Sequence, residues 1–208
     1  MAKTDEIIFI IDDDTSVRRS LSILLKTMEY TVETFPSSEE FLNREKFDGT
    51  GCIILDINLE GKSGFDLQEE LTKKQYSLPI VFITGKGGVH ESVRALKKGA
   101  IDFLQKPFDD EELLDAVEEA LTKSHEIKKE FDQIKKLQTL FSNLTDRELE
   151  VFKYVITGML NKQIAYKLNI AEHTVKLHRG KITEKLGVKS VAELVRIAEK
   201  AGINSLIK

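Results

Sequence analysis

Long apolar runs, disulfide-forming cysteines and helix breakers are what this 208-residue sequence has least of. No apolar stretch reaches the length of a membrane span, and the opening MAKTDEII lacks the pattern of a secretory leader, so a cytoplasmic protein is expected. The single cysteine, Cys52, has no partner within the chain. That excludes an intrachain disulfide framework and favours a reducing compartment, with a structural thiol inside a buried strand. No Pro or Gly occurs between Pro107 and Gly158, so nothing there dictates a break in a helix.

What is present is ordinary in bulk and uneven in distribution. A content of 41% hydrophobic and 32% charged residues suits a soluble chain long enough for two small domains. The net charge of −4 divides into −11 over residues 1–122 and +7 over 123–208. An acidic module followed by one able to meet a polyanion is the organisation this implies.

Residues 1–122 alternate apolar strand-like runs (6–12, 30–35, 51–56, 78–84, 101–105) with helical patterns (15–28, 37–46, 64–75, 88–98, 109–122). Five such repeats predict an α/β, doubly wound, five-stranded parallel sheet of flavodoxin-like type, with TVETF, whose polarity alternates, at an edge. Asp56 ends the run Cys52-Ile53-Ile54-Leu55, and Asp12-Asp13-Asp14 end Ile7-Ile8-Phe9-Ile10-Ile11. Carboxylates on the C-terminal ends of buried parallel strands stand where open α/β sheets place their sites. Held close, they raise one another's pKa unless a cation neutralises them, and a hard divalent ion with oxygen ligands, Mg²⁺ before Ca²⁺, suits them.

From 109 onward Ala120, Ser124, Ile127, Phe131, Ile134, Gln138 and Phe141 recur at spacings of three and four. This stripe reads either as a solvated linker helix or as a seam packing on another chain or on the rest of this one. The C-terminal part is all helix. Thr145 and Glu148 have capping-box spacing, Gly158 suits a C-cap, and Asn161 suits the N-cap of a helix with Ile164, Ala165 and Leu168 inside. A break at Asn169-Ile170-Ala171 leads to helix 172–186, ended by Gly187. Ser190 opens the last helix, with Val191, Leu194, Val195 and Ala198 expected inward. Helix, three-residue turn, helix within a four-helix unit predicts a helix-turn-helix.

FIIDDD, LDINLEGKSG, VFITG and LQKPF occur in receiver-domain order, and LTDRELEVFKYVITGMLNKQIAYKLNIAEHTVKLHRGKITEKLGVKS resembles a LuxR-type helix-turn-helix. Together they resemble a two-component response regulator of the NarL/FixJ subfamily. The resemblance implies a receiver at 1–122, a helical linker at 123–143 and a DNA-binding domain at 144–208. Asp56 would accept a phosphoryl group from a sensor histidine kinase. Mg²⁺ would be held by Asp13 and Asp56 directly, by Asp12 through water and by the backbone carbonyl of Asn58. Lys106 would pair with Asp56 or its phosphate, with Pro107 after a cis peptide. Thr84 would bond a phosphoryl oxygen and Phe103 would swing inward as the partner of that switch. Asn58 and Lys86 would flank the path of the water that hydrolyses the phosphate. Asp14 reads as a solvated or helix N-terminal residue.

The sequence departs from the family pattern at Glu60, where Pro is common, at Gly87-Gly88 after Thr84, and at Ala171, a poor N-cap whose lack Glu172 offsets in part through the helix dipole. In helix 172–186 a helical wheel turns Val175, Ile182 and Leu186 inward and His173, Lys176, Leu177, Gly180, Lys181 and Glu184 outward. Leu177 suits a thymine methyl in a major groove. Lys176 and Lys181 can reach bases or phosphates, while Lys162, Thr174, His178 and Arg179 suit backbone contacts. Gly180 lies where relatives carry a base-reading side chain.

Promoter DNA and the kinase are the expected partners, with RNA polymerase a further candidate. A homodimer is expected on phosphorylation through helix 88–98, strand 101–105 and the start of helix 109–122. Val89, Val93 and Leu96 supply the apolar spacing there, and Arg94, Lys97 and Lys98 face Asp109, Asp110 and Glu111 across a two-fold axis. The chain is not expected to be an enzyme beyond catalysing its own phosphorylation and dephosphorylation. A hydrolase using Asp56 would need a substrate cap, and no insertion is long enough for one. An interaction module that is never phosphorylated would not need the acid–Thr–Lys set.

Overall fold

Side chains alternate across a β-strand, so a strand buried on both faces feeds two cores at once. The computed structural model, which describes residues 6–85 and 89–204, has five strands, the three central ones buried in this way. They are β1 (Glu6–Ile11), β2 (Thr31–Phe35), β3 (Thr50–Asp56), β4 (Ile80–Thr84) and β5 (Asp102–Gln105), all parallel, in the order β2-β1-β3-β4-β5. Ile8, Ile10, Cys52, Ile54, Val81, Ile83 and Leu104 take one face. They pack on Leu21 and Leu25 of α1 (Thr15–Thr27) and on Leu113, Val117 and Leu121 of α5 (Asp110–Ser142). The alternate set, Phe9, Ile11, Ile53, Leu55 and Phe82, takes the other face. Its partners are Phe41 of α2 (Ser38–Asn43), Phe65, Leu67 and Leu71 of α3 (Gly64–Lys73), and Ala95 of α4 (Val89–Lys97). This is the doubly wound sheet the repeats predict, with β2 at one edge.

One boundary differs for a physical reason. The helix expected over 37–46 stops at Asn43, because Arg44 turns to an extended conformation, stacks 4.4 Å above the Phe9 ring and donates to the Tyr76 hydroxyl at 3.0 Å. Tertiary contact overrides helical propensity there. The helix that opens near 109, which nothing in the sequence breaks at 122, runs on to Ser142, 33 residues in all. The chain divides into two compact units within it, one through Lys129 and one from Glu130. Of the apolar stripe, Ala120 and Ser124 are buried in the first unit and Phe141 in the second. Ile127 and Ile134 are half-buried, and Phe131 and Gln138 are exposed. The polar member Ser124 has a reason: its Oγ accepts the Gly51 N–H at 3.0 Å.

The second unit gathers the end of α5 with α6 (Asp146–Val155), α7 (Asn161–Leu168), α8 (Glu172–Leu186) and α9 (Val191–Ala201). Its core is Phe141, Val151, Phe152, Ile164, Val175, Ile182, Leu186, Leu194 and Ala198. Three local expectations are corrected. The N-cap of α7 is Leu160, not Asn161. Asn161 is the first helical residue and its Oδ1 accepts from Arg179, while Gln163 Oε1 takes the Leu160 N–H at 2.9 Å. The C-cap of α6 is Ile156, and Gly158, with φ 82°, belongs to the turn beyond it. Val191 is exposed rather than inward, and Ala201 occupies the core instead.

Candidate functional site

Four neighbouring strands converge on one site at their C-terminal ends. Asp12 follows β1, Asp56 ends β3, Thr84 ends β4 and Lys106 follows β5. Asp12 is fully buried and Asp56 is 4% exposed. The Lys106 ammonium donates to Asp12 Oδ2 at 2.6 Å and to Asp56 Oδ1 at 3.1 Å, bridging the two carboxylates. The remaining oxygens are held by backbone: Asp12 Oδ1 accepts the Asp14 N–H at 2.9 Å and Asp56 Oδ2 the Asn58 N–H at 3.0 Å. The Asn58 side-chain amide donates to Thr84 Oγ1 at 2.8 Å, tying the ends of β3 and β4 together. Lys106 follows a hydrogen bond from its own N–H to the Thr84 carbonyl at 2.7 Å and precedes a cis peptide to Pro107.

The close approach of α3 depends on Gly64. A Cβ there would stand 2.4 Å from the Asp56 carbonyl oxygen, and the Gly64 N–H bonds the Ile57 carbonyl at 3.0 Å. Asp14 is the N-cap of α1, accepting from Ser16 N–H at 2.7 Å, and these backbone bonds lower its pKa. Sequence reasoning missed Arg18, whose Nη1 donates to the Asp12 carbonyl at 2.6 Å. Its i+4 offset from Asp14 is a helical spacing, but nothing in the sequence marks a backbone carbonyl as the target.

Electrostatics follow from burial. Desolvation pushes the Asp56 carboxyl up, against the opposing pull of Lys106. Burial alone would depress the Lys106 ammonium, but bonding to Asp12 and the charges of Asp12 and Asp56 outweigh it and hold its pKa above the ordinary lysine value. Two buried carboxylates against one ammonium leave an excess of negative charge, with exposed Asp13 adjoining. Among the described residues no three ligand side chains converge into a closed cage. A hydrated Mg²⁺ needs only one or two carboxylates, and this all-oxygen set fits it.

Phe103 is half-buried on the face of α2 to α4, opposite Phe82 in the register of β4 and β5. Val93 and Leu96 are exposed on α4. Arg94 lies over the Phe65 ring at 4.5 Å and Lys98 approaches Glu69 at 3.7 Å, so both lean toward α3. Lys86, Gly87, Gly88 and the side chain of Val89 lie outside the described residues.

In the second unit, α8 buries Val175, Ile182 and Leu186 and exposes His173, Lys176, Leu177, Gly180, Lys181 and Glu184, as the wheel divides them. Leu177 is 54% exposed. Lys162 is exposed on α7, and Thr174, His178 and Arg179 are half-buried on the flanks of α8. Arg179 donates to Asn161 at 3.1 Å, while His178 Nδ1 is buried with no hydrogen-bond partner. Ala171 caps α8 without a side-chain bond, and Glu172 stands in the first turn. An ion pair invisible to the sequence locks this unit. Lys185 of α8 donates to the buried Glu148 of α6 at 2.6 Å and to the Asn143 carbonyl at 3.1 Å. The Lys185 hydrogen bond, with the capping bonds to Thr145, draws the Glu148 pKa down to about 2.

Comparison with known proteins agrees with both halves. Residues 8–118 match the response regulator receiver domain, and residues 142–198 match the luxR family of bacterial regulatory proteins. The chain is 43% identical to nodulation protein W of Bradyrhizobium diazoefficiens, over 98% of this chain and 90% of that one. It is 36% identical to the transcriptional regulatory protein FixJ of Azorhizobium caulinodans, over 94% and 93%. Among solved structures, the response regulator StyR matches with a TM-score of 0.79 at 45% identity, covering 94% of this chain and 99% of that one. The chain therefore belongs to the NarL/FixJ family of two-component response regulators, transcription regulators that join a receiver to a LuxR-type DNA-binding domain.

Proposed function

We propose that Asp56 is the phosphoacceptor and that its phosphorylation controls binding of α8 to promoter DNA. The observation that carries this is Lys106, set within 3.1 Å of both Asp12 and Asp56 at the open end of the sheet. An Asp56 carboxylate oxygen attacks the phosphorus of a kinase phosphohistidine. The O–P bond forms as the N–P bond breaks, and the imidazole leaves with a proton from solvent. Lys106 moves its bond from carboxylate to phosphoryl oxygen, and Thr84 Oγ1, released from Asn58, donates to another. Such transfer needs mainly positioning and charge neutralisation. Mg²⁺, when held by Asp12, Asp13, Asp56 and the Asn58 carbonyl, supplies the further positive charge on the transferring oxygens. The receiver catalyses only this transfer and the later hydrolysis, in which water attacks the phosphorus, the Asp56 O–P bond breaks, and inorganic phosphate leaves with the carboxylate restored.

The receiver then spans 1–122, the linker 123–143 and the DNA-binding domain 144–208, in a cytoplasmic protein. Phe103 couples Thr84 to the α4–β5–α5 face, where a homodimer forms and reads paired half-sites. Incubation with acetyl phosphate and Mg²⁺, followed by intact mass, tests the assignment. One phosphate adduct is expected in the native chain and none in Asp56→Asn. An adduct that survives the substitution would falsify it.

A further inference from the structure

A glycine inside a helix is costly against alanine, so its presence asks for a reason. Gly180 is the ninth residue of the fifteen in α8. Two reasons would lie within the chain, and both fail. Gly180 is absent from the positive-φ residues, which include Gly158, Gly187 and Gly202, so its backbone conformation is open to any residue. A Cβ built on it meets nothing within 4 Å, whereas at Gly64 it would stand 2.4 Å from backbone. Neither conformation nor internal packing requires glycine here.

The third reason for glycine is close approach of backbone to something outside the chain. Gly180 sits in the middle of the exposed face of α8. Lys176 and Leu177 lie one turn before it on that face and Glu184 one turn after, while Val175, Ile182 and Leu186 are buried opposite. The bare patch is therefore flanked by the side chains best suited to base edges and phosphates. Nearby, Thr183 Oγ1 donates to the Gly180 carbonyl at 2.8 Å, so that carbonyl already has a partner.

We propose that Gly180 is a positioning residue for specificity: its missing side chain sets how deeply α8 seats in the major groove, and so brings Lys176 and Leu177 within reach of base edges. This rests on the DNA-binding role of the family and deepens it. The partner at the patch is the DNA duplex itself, met by helix backbone and not by a reading side chain. Relatives that carry a base-reading side chain there seat the helix farther out; in this chain, with Lys176 and Leu177 set for the closer approach, a Cβ at 180 would lift the helix and lengthen the base contacts on that face together.

The test uses the full chain with beryllofluoride and Mg²⁺. A randomised duplex library is first enriched on the native protein, and the winning duplex and a scrambled one are then titrated with Gly180→Ala and Gly180→Leu. Gly180→Ala is expected to melt at a higher temperature than the native chain, because helix propensity improves. It should nevertheless lose about tenfold in affinity for the enriched duplex, the scale of one base contact, while scrambled DNA binds much as before. Gly180→Leu should lose more. The opposite signs separate positioning from folding, since a structural glycine would lower both melting temperature and binding. A lowered melting temperature, or native discrimination in Gly180→Ala, overturns the proposal. If the native chain enriches no sequence at all, the DNA-binding reading fails first and takes this inference with it.

Discussion

The sheet edge and the recognition face solve opposite problems with charge. At the edge, Asp12, Asp56 and Lys106 arrive from separate strands and hold each other at fixed distances, the two carboxylates shielded from water and the lysine half-buried. On α8, Lys176 and Lys181 come from one helix and stand in solvent. A buried charge is expensive to leave unmatched, so the first region depends on each member being present. An exposed charge is screened and replaceable, so the second depends on summed contacts. Chemistry at one atom calls for the first arrangement, and a search along a polyanion calls for the second.

Removing the bridging cation should have the largest effect. Lys106→Met leaves two buried carboxylates facing each other, and the receiver should lose about 3–5 kcal/mol at neutral pH by denaturant unfolding. Millimolar Mg²⁺ should recover part of that loss. If the loss is absent, the edge is less sheltered than its burial indicates and the contrast between the two regions weakens.

The second unit contains its own buried charge, and Lys185→Met should cost about 3 kcal/mol by stranding Glu148. The acid dependence has a definite sign. The folded Glu148 pKa of about 2 lies below its ordinary 4.5, so its contribution is fully present above 4.5 and is lost as pH falls toward 2. Glu148→Gln should be less stable at pH 7 and flatter between those limits. An unchanged acid limb in that variant would remove the pair from the account.

Effects on the recognition face should be smaller. Leu177→Ala should narrow the gap between specific and random DNA by about 1 kcal/mol. Lys162→Ala should weaken all sequences alike and lower the salt slope by about one counterion. Electrophoretic or anisotropy titrations at three salt concentrations would show whether the two variants differ in this way. At the bottom of the scale, Lys73→Ala breaks an exposed i,i+4 pair with Glu69, and its denaturation midpoint should be indistinguishable from that of the native chain.

How far the sequence could be read follows the same division. Acids on strand ends are local signals, so Asp12, Asp56 and the sheet around them were legible, as was the split between the two sides of α8. What stayed hidden was the tertiary detail. The Lys106 ammonium approaches Asp12 more closely than Asp56, across 94 residues of sequence. The Lys185–Glu148 pair spans 37 residues, and only the capping half of Glu148 had a pattern. The start of α7 was misplaced by one residue because Leu160 is not a cap-forming type, so attention fell on Asn161. The continuity of α5 had only negative evidence, the lack of a breaker, which cannot say where one helix hands over to the next function.

Cys52, fully buried in β3 and pushed up to about 12 in pKa, has a practical corollary. The only thiol in the chain is chemically silent while the receiver stays folded, since the thiolate is the reactive form. A disulfide reagent then reports the moment the sheet opens, making Cys52 an internal clock for receiver unfolding. A single cysteine introduced at Tyr166, 89% exposed on α7, would meanwhile be the one handle for a fluorophore or spin label. The native protein thus comes ready for site-specific spectroscopy of its DNA-binding half without first being stripped of cysteines.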